Sequence, residues 1–337
     1  MVLNKKNNTT RLSSLDILRG LGVLLMVEAF IAIKIPFFSD MALIFTAPIF
    51  LFVAGASFQL LLRNRKARGN SGHEIFQEVF WRAVALFLVT SIITLVFILV
   101  LGTVYSGFST IFIIISTGLL MGFLVRRSFK RQVLTIFIIL ALDLVIRAYP
   151  VPILSFLTGN NLGLSILPYL CFFIFGMMAY RAYKSDNFKR YDNQILLVYG
   201  ILFFLLNLAL YLAFPYPFTS EYRNYPPLVL MIASLIILIF LLLIRVVDLD
   251  GNIRWWLKPI ENLGRISLTS YYLSYISFLV LGSLFLEDSH IYNVLIFLLT
   301  SLGLVLLERL LRPGYRYGLE WWYRRLSARA LLWSTDK

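Results

Sequence analysis

Apolar side chains fill this chain in long windows, and whole stretches of 18 to 22 residues lack an ionised side chain. The helices of a water-soluble core alternate apolar and polar faces, and these windows do not. About 20 apolar residues in a helix cross the hydrocarbon layer of a bilayer, so the solvent implied is lipid. Read between the polar clusters, the windows predict ten membrane helices. They fall near Leu15–Lys34, Met41–Leu62, Trp81–Leu101, Phe108–Val125, Val133–Tyr149, Leu164–Tyr180, Ile195–Phe214, Pro227–Ile244, Ile266–Leu286 and Ile291–Leu311. The fold class expected is all-α, a polytopic membrane bundle of about ten transmembrane helices.

The cations sharpen this picture. With the N-terminus in the cytoplasm, ten crossings put 28 of the 31 lysines and arginines on the cytoplasmic flank and leave only Lys34, Arg147 and Arg223 outside. One span more or fewer would scramble that partition, so it supports both the number and the orientation. The expected location is the cell membrane, multi-pass, with both termini cytoplasmic. The six tryptophans agree, lying in or beside segments of the cytoplasmic flank, where an amphipathic ring prefers the headgroup layer.

Composition then closes off other classes. The chain is 60% hydrophobic and 14% charged, too little charge to clothe a soluble globule of 337 residues. A net charge of +14 in a soluble protein would suggest nucleic acid, but here the basic residues sit in short clusters between apolar windows and mark orientation, so no nucleic-acid partner is expected. Membrane lipids are the expected surroundings. The single cysteine, Cys171, lies within an apolar segment and reads as a packing residue. Lys5, Lys6 and Arg11 ahead of Leu21–Val27 resemble a signal peptide. Glu28 interrupts the run and no small-residue cleavage site follows, so the segment is expected to remain as a membrane helix.

Two units are expected: residues 1–312 as the transmembrane domain, and residues 313–337 as an amphipathic helix on the cytoplasmic leaflet. In the latter, Leu319, Trp322, Leu326, Ala330 and Trp333 recur at helical spacing, with Glu320, Arg324, Arg325 and Arg329 on other faces. Gly118 and Gly122 form a Gly-x-x-x-Gly that lets two helix backbones approach.

Ionisable groups inside membrane spans are costly and mark candidate sites. Glu28 lies two-thirds along the first span with no basic residue one turn away; a carboxyl there can act as a general base or bind a polar substrate, or it can hydrogen-bond a neighbouring helix. Asp143 and Arg147, four apart on the fifth span, can neutralise each other or orient a substrate. Ser13 with Asp16 three residues on fits a capping box, and Arg19 follows one turn later at the cytoplasmic mouth. Arg63, Arg65, Lys66 and Arg68, with Arg82 close by, form a cluster suited to a phosphorylated cytoplasmic ligand or to anionic lipid. His73 falls in the first cytoplasmic loop and His290 just before the tenth span, outside, near Glu287 and Asp288. No metal-ligand cluster, nucleophile elbow, phosphate-binding loop or dinucleotide fingerprint occurs in the sequence.

Arg11-Leu-Ser-Ser-Leu-Asp16-Ile-Leu-Arg19-Gly20-Leu-Gly-Val-Leu-Leu-Met26, followed by Ala47-Pro48-Ile-Phe50-Leu-Phe52-Val-Ala-Gly55-Ala-Ser57, resembles the transmembrane acyltransferase superfamily, in particular the branch of heparan-α-glucosaminide N-acetyltransferase and its prokaryotic relatives. Asn262-Leu-Gly264-Arg265-Ile-Ser267-Leu-Thr269-Ser-Tyr271-Tyr272-Leu is similar to a Gly-Arg-x-x-Leu-Thr-x-Tyr stretch of related multi-span proteins. The resemblance implies a bundle that takes an acyl group, such as acetyl, from cytoplasmic acyl-CoA and delivers it to an extracytoplasmic sugar, or another hydroxyl or amine acceptor such as a lipid-linked one. It implies that Arg19, oriented by Asp16, and the Arg63, Arg65 and Arg82 cluster stand where the phosphates of acetyl-CoA enter.

The resemblance also implies a histidine near the outer part of the first span or the loop after it. Here Phe30 and Lys34 occupy that neighbourhood, and no histidine stands between Met1 and Gly72. Acyl transfer needs a group to take the proton of the attacking atom. Glu28 can replace that base, or His290 can reach in from the tenth span. Alternatively the chain is a transporter or flippase for a polar substrate, with Glu28 and Asp143 in its outer half, or a catalytically silent binding or assembly protein on the same scaffold.

Overall fold

The computed structural model describes residues 12–31, 36–101, 106–126, 128–148, 166–184, 194–213, 225–249, 253–284, 290–311 and 318–335. Its helices are α1 (Ser13–Ile31), α2 (Pro36–Ala67), α3 (Gly72–Leu101), α4 (Ser106–Val125), α5 (Phe129–Ala148), α6 (Ile166–Tyr183), α7 (Gln194–Ala213), α8 (Pro226–Leu243), α9 (Lys258–Arg265), α10 (Ser267–Leu284), α11 (His290–Leu311) and α12 (Leu319–Thr335). A π-helical turn, Ile244–Leu249, continues α8. Each expected span falls on a helix over its described residues, and the ends at Lys34, Tyr149, Leu164, Phe214 and Leu286 lie outside them. Among the described residues six helices are long and apolar enough to cross a membrane by length and composition. Helices α1 and α5 are apolar too, but they carry the ionisable residues Asp16, Arg19, Glu28, Lys130, Arg131, Asp143 and Arg147.

Two layers follow from where apolar side chains point. No described side chain of α1 or α6 is exposed, and α2 is likewise enclosed from Ile44 to Leu62. With α8 these helices form the inside of the bundle. Around them α3, α5, α7 and α11 turn apolar faces outward. On α5, Leu134, Phe137, Ile138, Leu142 and Val145 are all exposed at helical spacing, while Ile136, Ile139, Leu140, Asp143 and Ile146 form its buried stripe. Outward apolar faces on four helices, with six helices long and apolar enough to cross a bilayer, suit lipid, so the multi-pass membrane reading stands.

Two glycine pairs bring backbones into contact at the centre. A side chain at Gly55 would overlap the carbonyl oxygen of Phe173, and one at Gly176 that of Phe52, so α2 and α6 touch main chain to main chain. In the same way Gly20 meets the carbonyl of Ile260 and Gly264 that of Asp16, joining α1 to α9. The Gly118/Gly122 pair behaves differently from its motif reading. A side chain at either position would come within 2.9 Å of the Phe173 ring, so this groove of α4 receives an aromatic ring of α6 and not a helix backbone.

Helices α2 and α3 run farther than the apolar windows indicate. The stretch of Arg63, Arg65 and Lys66 is helical, and the chain reverses only at Gly69, whose φ of +82° suits a residue without a side chain. Ile75 and Val79, outside the apolar windows, pack together with Phe58 and Leu62, and Glu78 accepts from Arg65 Nη2 at 2.7 Å and from Arg82 Nη2 at 2.8 Å. Apolar contact and a shared carboxylate thus extend both helices past the apolar windows.

Candidate functional site

One end of the bundle collects the cations. The start of α1, the ends of α2, α4, α6 and α8, all of α9, and the starts of α10 and α12 meet there through hydrogen bonds described below. Arg147 lies at the other end of its helix, its guanidinium 5.3 Å from the centre of the Tyr225 ring.

At the basic end, the last turns of α2 and α6 and the residue after α4 enclose a cavity of about 450 Å³ lined by Gln59, Leu62, Arg63, Lys66, Arg126, Tyr180, Arg181 and Lys184. Five cations line it, and no acidic side chain is among the lining residues. Arg63 Nη1 donates to the carbonyl of Lys184 and Arg181 Nη1 to that of Arg126, both at 3.4 Å, so these guanidinium groups are held by main-chain oxygens. Arg126 also lies over the Phe123 ring, 3.2 Å from its centre. The buried Oε1 of Gln59 has no hydrogen-bond partner among the described residues and adds an acceptor.

Of the sequence-expected cluster, only Arg63 and Lys66 line this cavity. Arg65 and Arg82 converge instead on Glu78, which is largely buried. Arg126, Arg181 and Lys184 were legible only as cations of the same flank, because the approach of α2 to α6 at Gly55 and Gly176 has no local signal.

Arg19 occupies a second, smaller cavity of about 100 Å³, lined also by Phe50, Ala54, Ile115, Ser267, Leu268 and Tyr271. Its guanidinium donates to Asp16 Oδ1 at 3.3 Å, to the carbonyl of Gly264 at 3.4 Å and to Ser57 Oγ at 3.1 Å. Asp16 therefore orients Arg19, and all three quoted motifs meet at one side chain. Phe50 and Tyr271 stand edge to face, 6.5 Å between ring centres. Phe50 and Gln59 are nine residues apart, about half a turn round α2 and about 13.5 Å along it, so the two cavities open on opposite faces of that helix.

The start of α1, where a capping box at Ser13 and Asp16 was expected, is held by partners far away in the chain. Ser13 Oγ donates to Glu261 Oε1 at 3.1 Å, and Asp16 is engaged with Arg19. The backbone N–H of Ser13 donates to Asp248 Oδ1 at 3.0 Å and that of Ser14 to the same oxygen at 3.5 Å. Glu261 also receives Arg265 Nη2 at 2.7 Å. The first turn is capped by Asp248, more than 230 residues away, a pairing invisible to local spacing.

Glu28 is buried inside the bundle and its Oε1 has no hydrogen-bond partner among the described residues. Nine residues separate it from Arg19, which puts it on the opposite face of α1, about 13.5 Å farther along. Asp143 is fully buried on the stripe of α5 that faces α6, and its Oδ2 receives Arg147 Nε at 2.8 Å. His290 opens α11, but its side chain lies outside the described residues, as does Lys34.

The family model for the catalytic region of heparan-alpha-glucosaminide N-acetyltransferase matches residues 11–197, more than half of the chain. The chain belongs to this family. No curated protein matches it. The matched segment contains Asp16, Arg19, Ser57 and every residue lining the larger cavity, whereas Ser267, Leu268 and Tyr271 of the smaller one lie beyond it. A family of membrane acetyltransferases agrees with the apolar exterior.

Proposed function

We propose that the protein transfers an acetyl group, or another short acyl group, from acyl-CoA at the basic end of the bundle to a sugar or other hydroxyl or amine acceptor at the opposite end. The observation that carries this reading is the larger cavity. Acyl-CoA bears a diphosphate and a 3′-phosphate, and five convergent cations with no acid in the lining suit such a polyanion. The bias of cations to one end supports a cytoplasmic basic end, cytoplasmic termini and a cell-membrane location. Arg63, Lys66, Arg126, Arg181 and Lys184 hold the phosphates in this reading, Arg65 and Arg82 brace α2 on α3, and α12 lies at the inner leaflet.

The chemistry is nucleophilic attack on a thioester. The acceptor nitrogen or oxygen bonds to the carbonyl carbon, the carbon–sulfur bond breaks, the coenzyme leaves as thiolate, and the acceptor proton must go to a base. Glu28 is that base, since its buried carboxyl has an oxygen without a partner among the described residues and no histidine precedes Gly72. The acceptor identity follows from a direct test. Purified protein in lipid discs, given acetyl-labelled coenzyme A and a panel of amino sugars and glycans, moves label to at least one acceptor, and Arg181→Ala raises the KM for the donor. Absence of coenzyme binding at millimolar concentration would reject the reading.

A second reading rests on the buried oxygens of Glu28 and Asp143 that lack partners among the described residues. Such carboxyls can carry protons or cations, as in a transporter or flippase. Proton- or ion-coupled substrate uptake into proteoliposomes, without label transfer, would favour it.

A further inference from the structure

The first turn of α10 has no cap of its own. Its N–H groups at Leu268 and Thr269 point out of the helix end, and the residue before the helix, Ile266, carries no side-chain acceptor. Helix α12 supplies one from 51 residues away. Glu320 Oε1 accepts from Leu268 N at 2.6 Å and from Thr269 N at 3.1 Å, and Glu320 Oε2 accepts from the Thr269 hydroxyl. The exchange is reciprocal, because the N–H of Leu319 donates to Thr269 Oγ1 at 2.9 Å. Each helix therefore caps the other.

The capped turn is also the wall of the Arg19 cavity, through Ser267 and Leu268. Three residues before that turn, Gly264 gives its carbonyl to Arg19. The joint between α9 and α10 is a single residue, Ile266, so the oxygen that holds Arg19 and the N–H that Glu320 holds are four residues apart. The other end of this linkage is anchored as well, since α12 packs along α3.

We infer that Glu320 is a positioning residue: through Leu268 and Thr269 it fixes the α9–α10 joint and so sets the shape and access of the cavity at Arg19. The C-terminal helix thereby shapes the Arg19 cavity although it lies beyond the family-matched segment. Loss of the carboxylate leaves two N–H groups unpaired at the cavity wall, and the turn must unwind or tilt to reach water. The catalytic consequence rests on the proposed acyl transfer. The structural one does not.

The chain offers a clean probe. Its one cysteine, Cys171, is fully buried, so it reacts with thiol reagents only when the bundle opens, while a cysteine introduced as Ser267→Cys reports the cavity wall. The labelling rate of Ser267→Cys by a small anionic methanethiosulfonate is measured in the full chain with Glu320, Glu320→Gln and Glu320→Ala. The expected result is a rate changed about tenfold by Glu320→Ala and less by Glu320→Gln, which keeps one acceptor oxygen, with Cys171 unreactive in each. In label transfer, Glu320→Ala lowers kcat more than it changes the donor KM, and Glu320→Gln restores part of it.

A Ser267→Cys rate within twofold of the parent in Glu320→Ala, with Cys171 still protected, would overturn the inference. Should Glu320→Ala expose Cys171 and so report unfolding, the Glu320→Gln rate decides by the same criterion. A parent protein that transfers no label would sink the proposed function, and the labelling rates would still decide this inference.

Discussion

The carboxylate of Asp248 caps the first turn of α1 by accepting from the backbone N–H of Ser13, 235 residues earlier in the chain, at 3.0 Å. The same oxygen receives Ser14 N at 3.5 Å, so the helix that carries Asp16, Arg19 and Glu28 is anchored by the π-helical turn after α8. A cap of this kind is worth about 1–2 kcal/mol. Asp248→Ala is expected to lower thermal stability in detergent by a corresponding amount, and Asp248→Asn, which keeps an acceptor oxygen, by less. Equal melting temperatures for all three would show that the contact contributes nothing.

The donor site makes unequal demands on neighbouring arginines. Arg63 and Arg181 line the larger cavity, whereas Arg65 and Arg82 share Glu78. A charge-assisted contact to phosphate contributes about 1.5–3 kcal/mol, so Arg63→Ala and Arg181→Ala are each expected to weaken acetyl-CoA binding by about 10-fold or more, with the loss growing at low salt. Arg65→Ala and Arg82→Ala should leave the affinity within about twofold and lower the melting temperature. Isothermal titration of the coenzyme against each variant separates the two classes, and a reversed order would move the phosphate site to α3.

How much of this was legible in the sequence depends on the range of the interaction. Apolar windows and the partition of cations located the helices and gathered the basic residues at one end, because both signals are local and lipid permits few alternatives. The motif stretches quoted for the resemblance do meet, at Arg19 with Ser57 and Gly264. What escaped were long-range relations. Asp248 and Glu320 cap helices far away in the chain, Arg65 was absorbed by Glu78, and Phe173 filled the Gly118/Gly122 groove. On α12, Leu319 of the expected lipid stripe turns with Tyr323 toward the core, leaving Trp322 and Leu326 exposed.

Glycine substitutions test the central packing. At Gly264 a methyl group would collide with the carbonyl of Asp16, and main chain cannot yield as a side chain does. At Gly303 of α11 nothing lies within 4 Å. Overpacking costs about 1–3 kcal/mol or more, while glycine to alanine in an open helix gains up to about 1 kcal/mol. Gly264→Ala should therefore reduce the yield and melting temperature of folded protein, and Gly303→Ala should hold or raise them. Tolerance of Gly264→Ala in size-exclusion and thermal assays would contradict the α1–α9 contact.

The Asp143–Arg147 pair is expected to be structural. Asp143 has no exposed surface and lies on the stripe that faces α6, so removing its charge breaks a largely buried ion pair with Arg147. Breaking a buried pair costs about 3–5 kcal/mol, whereas replacing both partners by apolar residues is often neutral. Asp143→Leu alone should destabilise strongly, and Asp143→Leu with Arg147→Met should recover most of the stability and keep coenzyme affinity. If the double variant is stable yet its KM for the acceptor rises about 10-fold or more, the pair orients substrate instead.

Glu28 gives the sharpest division between chemistry and scaffold. It sits on the face of α1 opposite Arg19, so a change there leaves the contacts of Arg19 with Asp16, Ser57 and Gly264 in place. Glu28→Gln keeps the shape and a hydrogen-bonding carbonyl but cannot accept the acceptor's proton at neutral pH. General-base catalysis contributes about 10²–10⁴ in rate, so label transfer should fall by about 100-fold or more while the dissociation constant of acetyl-CoA stays within about twofold. Glu28→Asp, which retains the base on a shorter arm, should lie between. Full transfer by Glu28→Gln would assign the proton to another group, with His290 the next residue to replace.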